Sequence, residues 1–273
     1  MQTAFTEGQL ADPQVAASRA EIRKCVHCGF CTATCPTYVL LGDERDSPRG
    51  RIELIKAMLE DGGSPAKETV THVDRCLSCL ACVTACPSGV DYAQLIEHGR
   101  EHIESHYRRP LPERWLRALI PAVLARPGRL RKALALGRMA RPLGSVLEAC
   151  GFRRIAALLR LVPKAAQTIR PPRRAYPAEG AVRGRVALLQ GCVEPVMAPS
   201  IREAAISLIT RAGFEVVLVE GEGCCGALSE HLGRADEAAA FAAANVRAWT
   251  RAGPFDAIVT TAAGCGTILK AYG

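Results

Sequence analysis

The spacing of apolar residues predicts helices along the first part of the chain. One helix is predicted from Val15 to Arg23 and another from Asp91 to Tyr107. A third is predicted to run through Leu59, because Ser47 is a good N-cap residue and Pro48 has no backbone donor to lose at the first helical position. Between residues 35 and 76 no alternation typical of a β-hairpin occurs, so we expect this part to be helical.

The middle of the chain also has helical spacing, but prolines interrupt it. The interruptions predict short helices between residues 108 and 180 that break at Pro121, Pro127, Pro142 and Pro163. The segment Arg170–Pro177 is predicted to be a linker of Pro and Arg residues.

The periodicity changes after Val182, where short apolar runs alternate with helical segments. The predicted strands are Val186–Gln190, Phe214–Val219 and Ala257–Thr261, and the predicted helices are Ile201–Arg211 and Ser229–Thr250. Strands that alternate with helices indicate parallel βαβ units. We therefore expect a fold of the α/β class with a parallel sheet, whose edge is left uncovered, in this last part of the chain.

Length and composition are those of a globular chain with about two domains. Of the 273 residues 49% are hydrophobic and 23% are charged, which excludes wholesale disorder. No apolar run approaches the ~18 residues of a membrane-spanning helix, and the N-terminal residues lack a secretory pattern. These features predict a cytoplasmic location.

Positive charge is concentrated in the middle of the chain. Residues 100–185 contain 20 Lys and Arg residues against 5 Asp and Glu, a net charge of +15, whereas the whole chain carries +8. Such a block could bind nucleic acid, an anionic membrane surface or an acidic partner, or form an ordinary solvated face. It lacks the interleaved aromatic residues of single-strand binders, so no nucleic acid is expected.

Eight of the 13 cysteines form two runs with the pattern C-x2-C-x2-C-x3-C-P, the run of ferredoxins with two [4Fe–4S] clusters. In such proteins the fourth cysteine of each run ligates the other cluster. One cluster is thus predicted on Cys25, Cys28, Cys31 and Cys86, and the other on Cys76, Cys79, Cys82 and Cys35. A pair of structural zinc sites is the alternative, but zinc ligands typically come as two separated pairs.

Four more cysteines follow the predicted strands, where the carboxyl edge of a parallel sheet gathers them. They are Cys192, Cys224, Cys225 and Cys265, a predicted third metal site. The stretch Gly221–Gly226 formally matches the dinucleotide pattern G-x-G-x-x-G, but neighbouring thiolates would repel a pyrophosphate. Cys150 lies outside every motif and is predicted to be a small core residue.

The motifs CVHCGFCTATCP, RDSPRGRIELIK, CLSCLACVTACP, QGCVEP, GCCGALSEHLG and AAGCG together resemble the iron–sulfur subunit of glycolate oxidase. The resemblance implies an α-helical ferredoxin domain at residues 1–108, a basic helical connector at 109–180 and a cysteine-rich CCG half-domain at 181–273. That family has two CCG halves, and only one is found here. A third cluster is therefore expected only once a second half is supplied.

The resemblance also implies the function. The chain is expected to carry electrons from flavin-containing partner subunits, which oxidise glycolate or another 2-hydroxy acid, towards quinone or another acceptor. The alternative is the iron–sulfur subunit of a related lactate, glycerol-3-phosphate or heterodisulfide oxidoreductase. No substrate-oxidising site is expected in the chain itself, and peripheral attachment to the inner membrane face is a further expectation.

Two arginines of the motif RDSPRGRIELIK stand out beside the cysteines. Arg49 and Arg51 could lie near a cluster as compensating charges, or simply mark the solvated beginning of a helix. The sequence leaves these two roles open.

Overall fold

The computed structural model describes residues 1–165 and 172–272. The chain divides into two units, one formed by Met1–Leu111 and Ser229–Ala235 and the other by Pro112–Leu228 and Asp236–Gly273. The predicted connector therefore groups with the strand-and-helix part and is not a separate body. Residues 166–171, which include the first two residues of the predicted linker, lie outside the described residues.

In the first unit the described residues 1–111 form helices joined by loops. The helices are α1 (Glu7–Leu10), α2 (Pro13–Lys24), α3 (Phe30–Ala33), α4 (Pro36–Leu41), α5 (Pro48–Asp61), α6 (Lys67–Asp74), α7 (Ala81–Thr84) and α8 (Tyr92–His106), with a 3-10 turn at Glu44–Asp46. Capping fixes where the long ones begin: Ser47 Oγ accepts a hydrogen bond from Gly50 N at 3.0 Å, and Asp91 Oδ1 accepts one from Gln94 N at 3.2 Å.

Apolar side chains from three of these helices form the core of the first unit. Ile22 of α2, Ile55 of α5 and Leu95 and Ile103 of α8 are all 0% exposed. Burying each such side chain stabilises the fold by about 1.5–3 kcal/mol relative to exposure. The core therefore sets the loops that carry the cysteines on a rigid helical base.

The second unit begins with short helices, as predicted, but one predicted break is wrong. The helices are α9 (Leu111–Leu124), α10 (Pro127–Ala140), α11 (Gly144–Ala149) and α12 (Arg153–Leu161), with a 3-10 turn at Arg141–Leu143. Pro121 lies inside α9 and does not end it. A proline removes one helical hydrogen bond, and the buried Pro121 still accepts from Ala125 N at 3.0 Å, so the helix continues.

The sheet of the second unit has four strands, in the order β1-β3-β2-β4. They are β1 (Ala175–Tyr176), β2 (Gly184–Leu188), β3 (Phe214–Val217) and β4 (Ala257–Val259). The three predicted strands pair in parallel, with Val186 opposite both Val216 and Ala257. The expectation of an all-parallel sheet is wrong at one edge, because β1 pairs antiparallel with β3 in what was predicted to be linker. Two residues are too few to give a periodicity signal, and β1 covers that edge of β3.

The remaining helices follow the strands. They are α13 (Glu194–Met197), α14 (Pro199–Arg211), α15 (Ala227–His231), α16 (Ala235–Ala252) and α17 (Ala263–Lys270). Of these, α15 passes from the second unit into the first at Ser229. The single helix predicted for Ser229–Thr250 is wrong, since the chain is interrupted between α15 and α16. Gly233 adopts a left-handed φ of +75° there, which ends a helix.

Both faces of this sheet are covered. Along β2 and the residue after it, Val186 and Leu188 pack with Ile206 of α14, whereas Ala187 and Leu189 pack with Trp249 of α16. Successive side chains of a strand point to opposite faces, so a continuous apolar run indicates burial on both sides. The strand ends are thereby held in register, and the cysteine loops follow them.

Candidate metal centre

The two cysteine runs of the first unit have the same backbone path. His27 and Ser78, which hold equivalent positions, have φ values of +57° and +50°, and Gly29 and Leu80 have +85° and +55°. Left-handed values are rare for residues other than glycine. Each run is thus bent twice between its first and third cysteines, which curls the thiols towards a common centre.

The absence of a side chain at Gly29 also leaves room for the side chain of Arg49. A Cβ atom at this position would lie 2.7 Å from Nη1 of Arg49. The third cysteine of each run then sits in a one-turn helix, Cys31 in α3 and Cys82 in α7. These helices keep the third thiol close to the curled loop before it.

The first pocket of this unit encompasses about 430 Å³, part of which is open to solvent. Five cysteines line it, namely Cys25, Cys28, Cys31, Cys82 and Cys86. Three of them belong to the first run, whereas Cys86 is the last cysteine of the second run. The thiols of both runs are free, which is what an iron–sulfur cluster requires.

The second pocket encompasses about 300 Å³, part of which is open to solvent. Its cysteines are Cys35, Cys76, Cys79 and Cys82. The last cysteine of the first run therefore lies with the second run, and Cys82 borders both cavities. The composition of the two pockets agrees with crossed ligation, although the ligand assignment itself stays a prediction.

The surroundings of the thiols differ in how they favour the thiolate, the form that binds metal. Burial raises the pKa of Cys82 to about 12, and the charges of Cys76 and Cys31 add to the shift. Burial also raises the pKa of Cys35, but hydrogen bonds, above all with Thr37, and the charge of Arg51 lower it by more. A bound metal cluster would remove the repulsion among thiolates that burdens Cys82.

The structure places Arg49 and Arg51 at different pockets. Arg49 lines the first pocket and donates from Nη1 to His27 O at 3.2 Å. Arg51 lines the second, where its Nη1 lies 3.8 Å from Cys35 Sγ. Arg51 is 1% exposed, so the alternative of a solvated helix beginning is excluded for it.

In the second unit the four remaining motif cysteines lie beyond the carboxyl ends of the parallel strands. Cys192 follows β2, Cys224 and Cys225 follow β3, and Cys265 lies in the first turn of α17 after β4. Cys225 Sγ donates to Cys265 Sγ at 3.1 Å. The hydrogen bond with Cys224, followed by burial, raises the pKa of Cys192. The four thiols thus form one connected group.

A set of buried polar side chains, which sequence reasoning missed, holds the loop of the two adjacent cysteines. Asn245 is 0% exposed; its Oδ1 accepts from Gly223 N at 2.8 Å and its Nδ2 donates to Cys224 O at 2.9 Å. Tyr272 Oη donates to Cys225 O at 2.7 Å. The signal for Asn245 in the sequence was an amide side chain directly after the run of alanines in helix α16.

The carboxylate of Glu222 also binds groups near the cysteine loops. Its two carboxylate oxygens accept from Gln190 N at 3.0 Å and from Trp249 Nε1 at 2.8 Å. Burial raises the pKa of this carboxyl, although both hydrogen bonds oppose the shift. These hydrogen bonds therefore hold the backbone around the thiols in place.

Cys150, in contrast, is exposed at the end of α11, so its predicted place in the core is wrong.

Both cysteine-containing regions of the chain match models of known protein families. A model of the 4Fe-4S dicluster domain matches residues 24–90, and a model of a cysteine-rich domain matches residues 186–270. The chain therefore matches a 4Fe-4S dicluster domain followed by a cysteine-rich domain. Iron–sulfur clusters are accordingly its cofactors, and the first match contains all eight cysteines of the two runs.

Several curated proteins are similar to this iron–sulfur chain. The glycolate oxidase iron–sulfur subunit of Escherichia coli is 41% identical over 100% of the chain and 64% of its own length. A probable glycolate oxidase iron–sulfur subunit of Bacillus subtilis is 34% identical over 92% of the chain and 59% of its own length. An uncharacterised iron–sulfur protein of Methanocaldococcus jannaschii is 24% identical over 97% of the chain and 47% of its own length.

The resemblance to glycolate oxidase iron–sulfur subunits is thus confirmed over the whole chain, which spans less than two thirds of the length of each of these relatives. No solved structure matches the chain. Among the helices that the structure describes, none combines the length and apolar content needed to cross a bilayer.

We expect Cys86→Ser to alter the same cluster as Cys28→Ser, because both residues line the first pocket. The measurement is electron paramagnetic resonance of the anaerobically purified, reduced protein, with Cys79→Ser as reference for the second pocket. Cys150→Ser, at an exposed cysteine outside the motifs, is the control and should leave both signals unchanged. A Cys86→Ser spectrum that matches Cys79→Ser instead would refute crossed ligation.

Once a second CCG half is supplied, we expect the connected thiols of the second unit to hold metal in addition to the iron of two [4Fe–4S] clusters, which is about eight atoms. In protein completed in this way and purified anaerobically, Cys224→Ser should remove the additional metal, whereas Cys150→Ser should retain it. Elemental analysis and labile sulfide measure both. Equal metal content in the two variants would contradict a metal site here.

Proposed function

We propose that this chain is the electron-transfer iron–sulfur subunit of a glycolate oxidase. The observation that carries the proposal is the pair of cysteine-lined cavities that share Cys82 in one helical unit. Two redox centres so close together form a path for electrons and not two independent structural sites. The similarity to glycolate oxidase iron–sulfur subunits over the whole chain supports the same function.

The eight cysteines of the two runs would bind the two clusters that carry the electrons. Cys25, Cys28, Cys31 and Cys86 would hold one cluster, and Cys76, Cys79, Cys82 and Cys35 the other. Bound [4Fe–4S] clusters supply one-electron carriers, so two of them match the two electrons that leave glycolate when it becomes glyoxylate. The helical core around α2, α5 and α8 keeps the cysteine loops in place during electron transfer, which avoids the cost of reorganising them.

Oxidation of the substrate itself is assigned to another subunit. No nucleophile–base pair or paired acid–base carboxylates in the motifs of this sequence could take the hydrogens of a 2-hydroxy acid. A flavin-containing partner would accept both electrons at once and release them singly to the clusters. The Cys192, Cys224, Cys225 and Cys265 group would hold a third iron site of the same electron path.

We further propose that α9 to α12 attach the protein peripherally to an anionic membrane surface. Apolar side chains on these helices are exposed, among them Trp115 at 76%, Leu119 at 59%, Leu136 at 67%, Met139 at 79% and Leu158 at 57%. The surrounding sequence carries the +15 block, and basic charge with exposed apolar side chains is the composition of helices that lie in a lipid interface. Attachment here would bring the protein to the membrane that contains the quinone.

We expect glycolate to reduce the clusters in the complete complex. The complex is purified anaerobically through a tag on this chain, glycolate is added, and the reduced clusters are followed by electron paramagnetic resonance. Glycerol 3-phosphate, lactate and a thiol pair are added to parallel samples. Reduction by one of these and not by glycolate would favour the related oxidoreductases. Stoichiometric zinc in place of iron would refute an electron carrier altogether.

We expect the protein to sediment with vesicles that contain phosphatidylglycerol but not with pure phosphatidylcholine, and binding should fall as salt rises. Trp115→Ser with Leu119→Ser should weaken binding at least tenfold, because each buried apolar side chain contributes about 1.5–3 kcal/mol. Val182→Ser is the control, at an apolar side chain 74% exposed outside these helices. Equal binding by both variants would contradict this surface. If the helices bind the flavoprotein partner and not the vesicles, this surface is a protein interface and the membrane proposal is wrong.

A further inference from the structure

The two cluster pockets differ in the charge of the side chains beside them. At the second pocket the guanidinium group of Arg51 is buried, with Nη1 3.8 Å from Cys35 Sγ and Nε donating to His72 O at 2.7 Å. Thr37 Oγ1 lies 3.2 Å from the same sulfur. A fixed positive charge and a hydroxyl group therefore face Cys35.

The counter-charge of Arg51 is shared with a second arginine. Asp46, which is 0% exposed, lies 3.3 Å from Arg51 Nη2 through Oδ1 and 3.0 Å from Arg75 Nη1 through Oδ2. His72 Nδ1 is 3.0 Å from Asp46 Oδ1. The Arg75 side chain is 47% exposed, so water screens its charge, and the buried guanidinium group of Arg51 is the positive charge next to Cys35.

Further donors are directed at the loop of the second run. Tyr92, which is 3% exposed, donates from Oη to Cys76 Sγ at 3.6 Å. Arg100, which is 5% exposed, donates from Nη2 to Cys76 O and from Nη1 to Ser78 Oγ, both at 2.6 Å. Arg51 is thus the arginine that lines this pocket, Arg100 binds the loop of the second run, and a buried phenol contacts one of the pocket's sulfurs.

The first pocket has a weaker positive field. Its arginine, Arg49, is paired with the carboxylate of Glu44, through Nε and at 3.2 Å through Nη2. The Arg49 side chain is 31% exposed, so water screens what charge remains. Lys24, at the end of α2 before the first run, is paired with Glu21 at 2.6 Å. Each of these cations has a carboxylate of its own.

We infer that the cluster in the second pocket has the higher reduction potential and that Arg51 is the positioning residue chiefly responsible. Reduction adds negative charge to a cluster, and buried cations and hydrogen bonds to its sulfurs stabilise that added charge. Electrons then pass from the cluster in the first pocket to the cluster in the second. The inference rests on the proposed function only in assuming that both clusters are bound and carry electrons.

The test is a redox titration of the anaerobically purified protein with dithionite and mediators, followed by electron paramagnetic resonance. Cys79→Ser first identifies the signal of the second pocket. Arg51→Gln should lower the equilibrium constant for reduction of that cluster about tenfold, or about 59 mV for one electron, and leave the other cluster unchanged. Arg51→Lys, which keeps the charge, should restore most of the difference. Iron content must stay the same in every variant.

Two further variants keep the inference falsifiable if Arg51→Gln does not fold. Tyr92→Phe removes only the hydroxyl group and should lower the same equilibrium constant about threefold, or about 28 mV for one electron. Arg49→Gln is the matched control in the same helix and should leave the second cluster unchanged. A second-pocket cluster with the lower potential in the wild type, or an effect of Tyr92→Phe on the first cluster alone, would overturn the inference. No substrate is used, so the result is independent of whether glycolate is the donor.

Discussion

The structure depends on gathering thiol groups that repel one another once they lose their protons. Each pocket of the first unit brings at least four cysteines to one cavity, where burial, followed by the charges of Cys76 and Cys31, raises the pKa of Cys82 to about 12. The rest of this unit holds these cysteines close together despite the repulsion between their thiolates. Left-handed residues such as His27 and Leu80 curl the loops, and the core of α2, α5 and α8 fixes the loops in space.

The second unit meets the same constraint in another way. Strand ends, not curled loops, deliver its thiols, and the side chains of Asn245, Tyr272 and Glu222 hold the backbone around them. A parallel sheet covered on both faces gives strand ends that cannot shift relative to one another. Local backbone curvature in one unit and sheet topology in the other thus produce groups of four neighbouring cysteines.

Much of this could be predicted from the sequence, because cysteine spacing and strong periodicity are local signals. The helix that begins at Pro48 after the cap Ser47 and the three parallel strands are examples. What failed depended on contacts distant in sequence. The strand β1 exists only because β3 accepts it, and Pro121 is tolerated because the rest of α9 continues around it. Arg51 could be named as a candidate from its motif, but its burial beside Cys35 required the fold.

The exchange of final cysteines between the two runs has a consequence for how the protein is made. Neither run can complete a four-cysteine pocket from its own residues, since Cys86 closes the first cavity and Cys35 belongs to the second. On the ribosome the first pocket therefore stays open until synthesis has passed residue 86. Under the proposed crossed ligation, insertion of either cluster would wait until both runs have been synthesised, so it would be a late step in the formation of this unit.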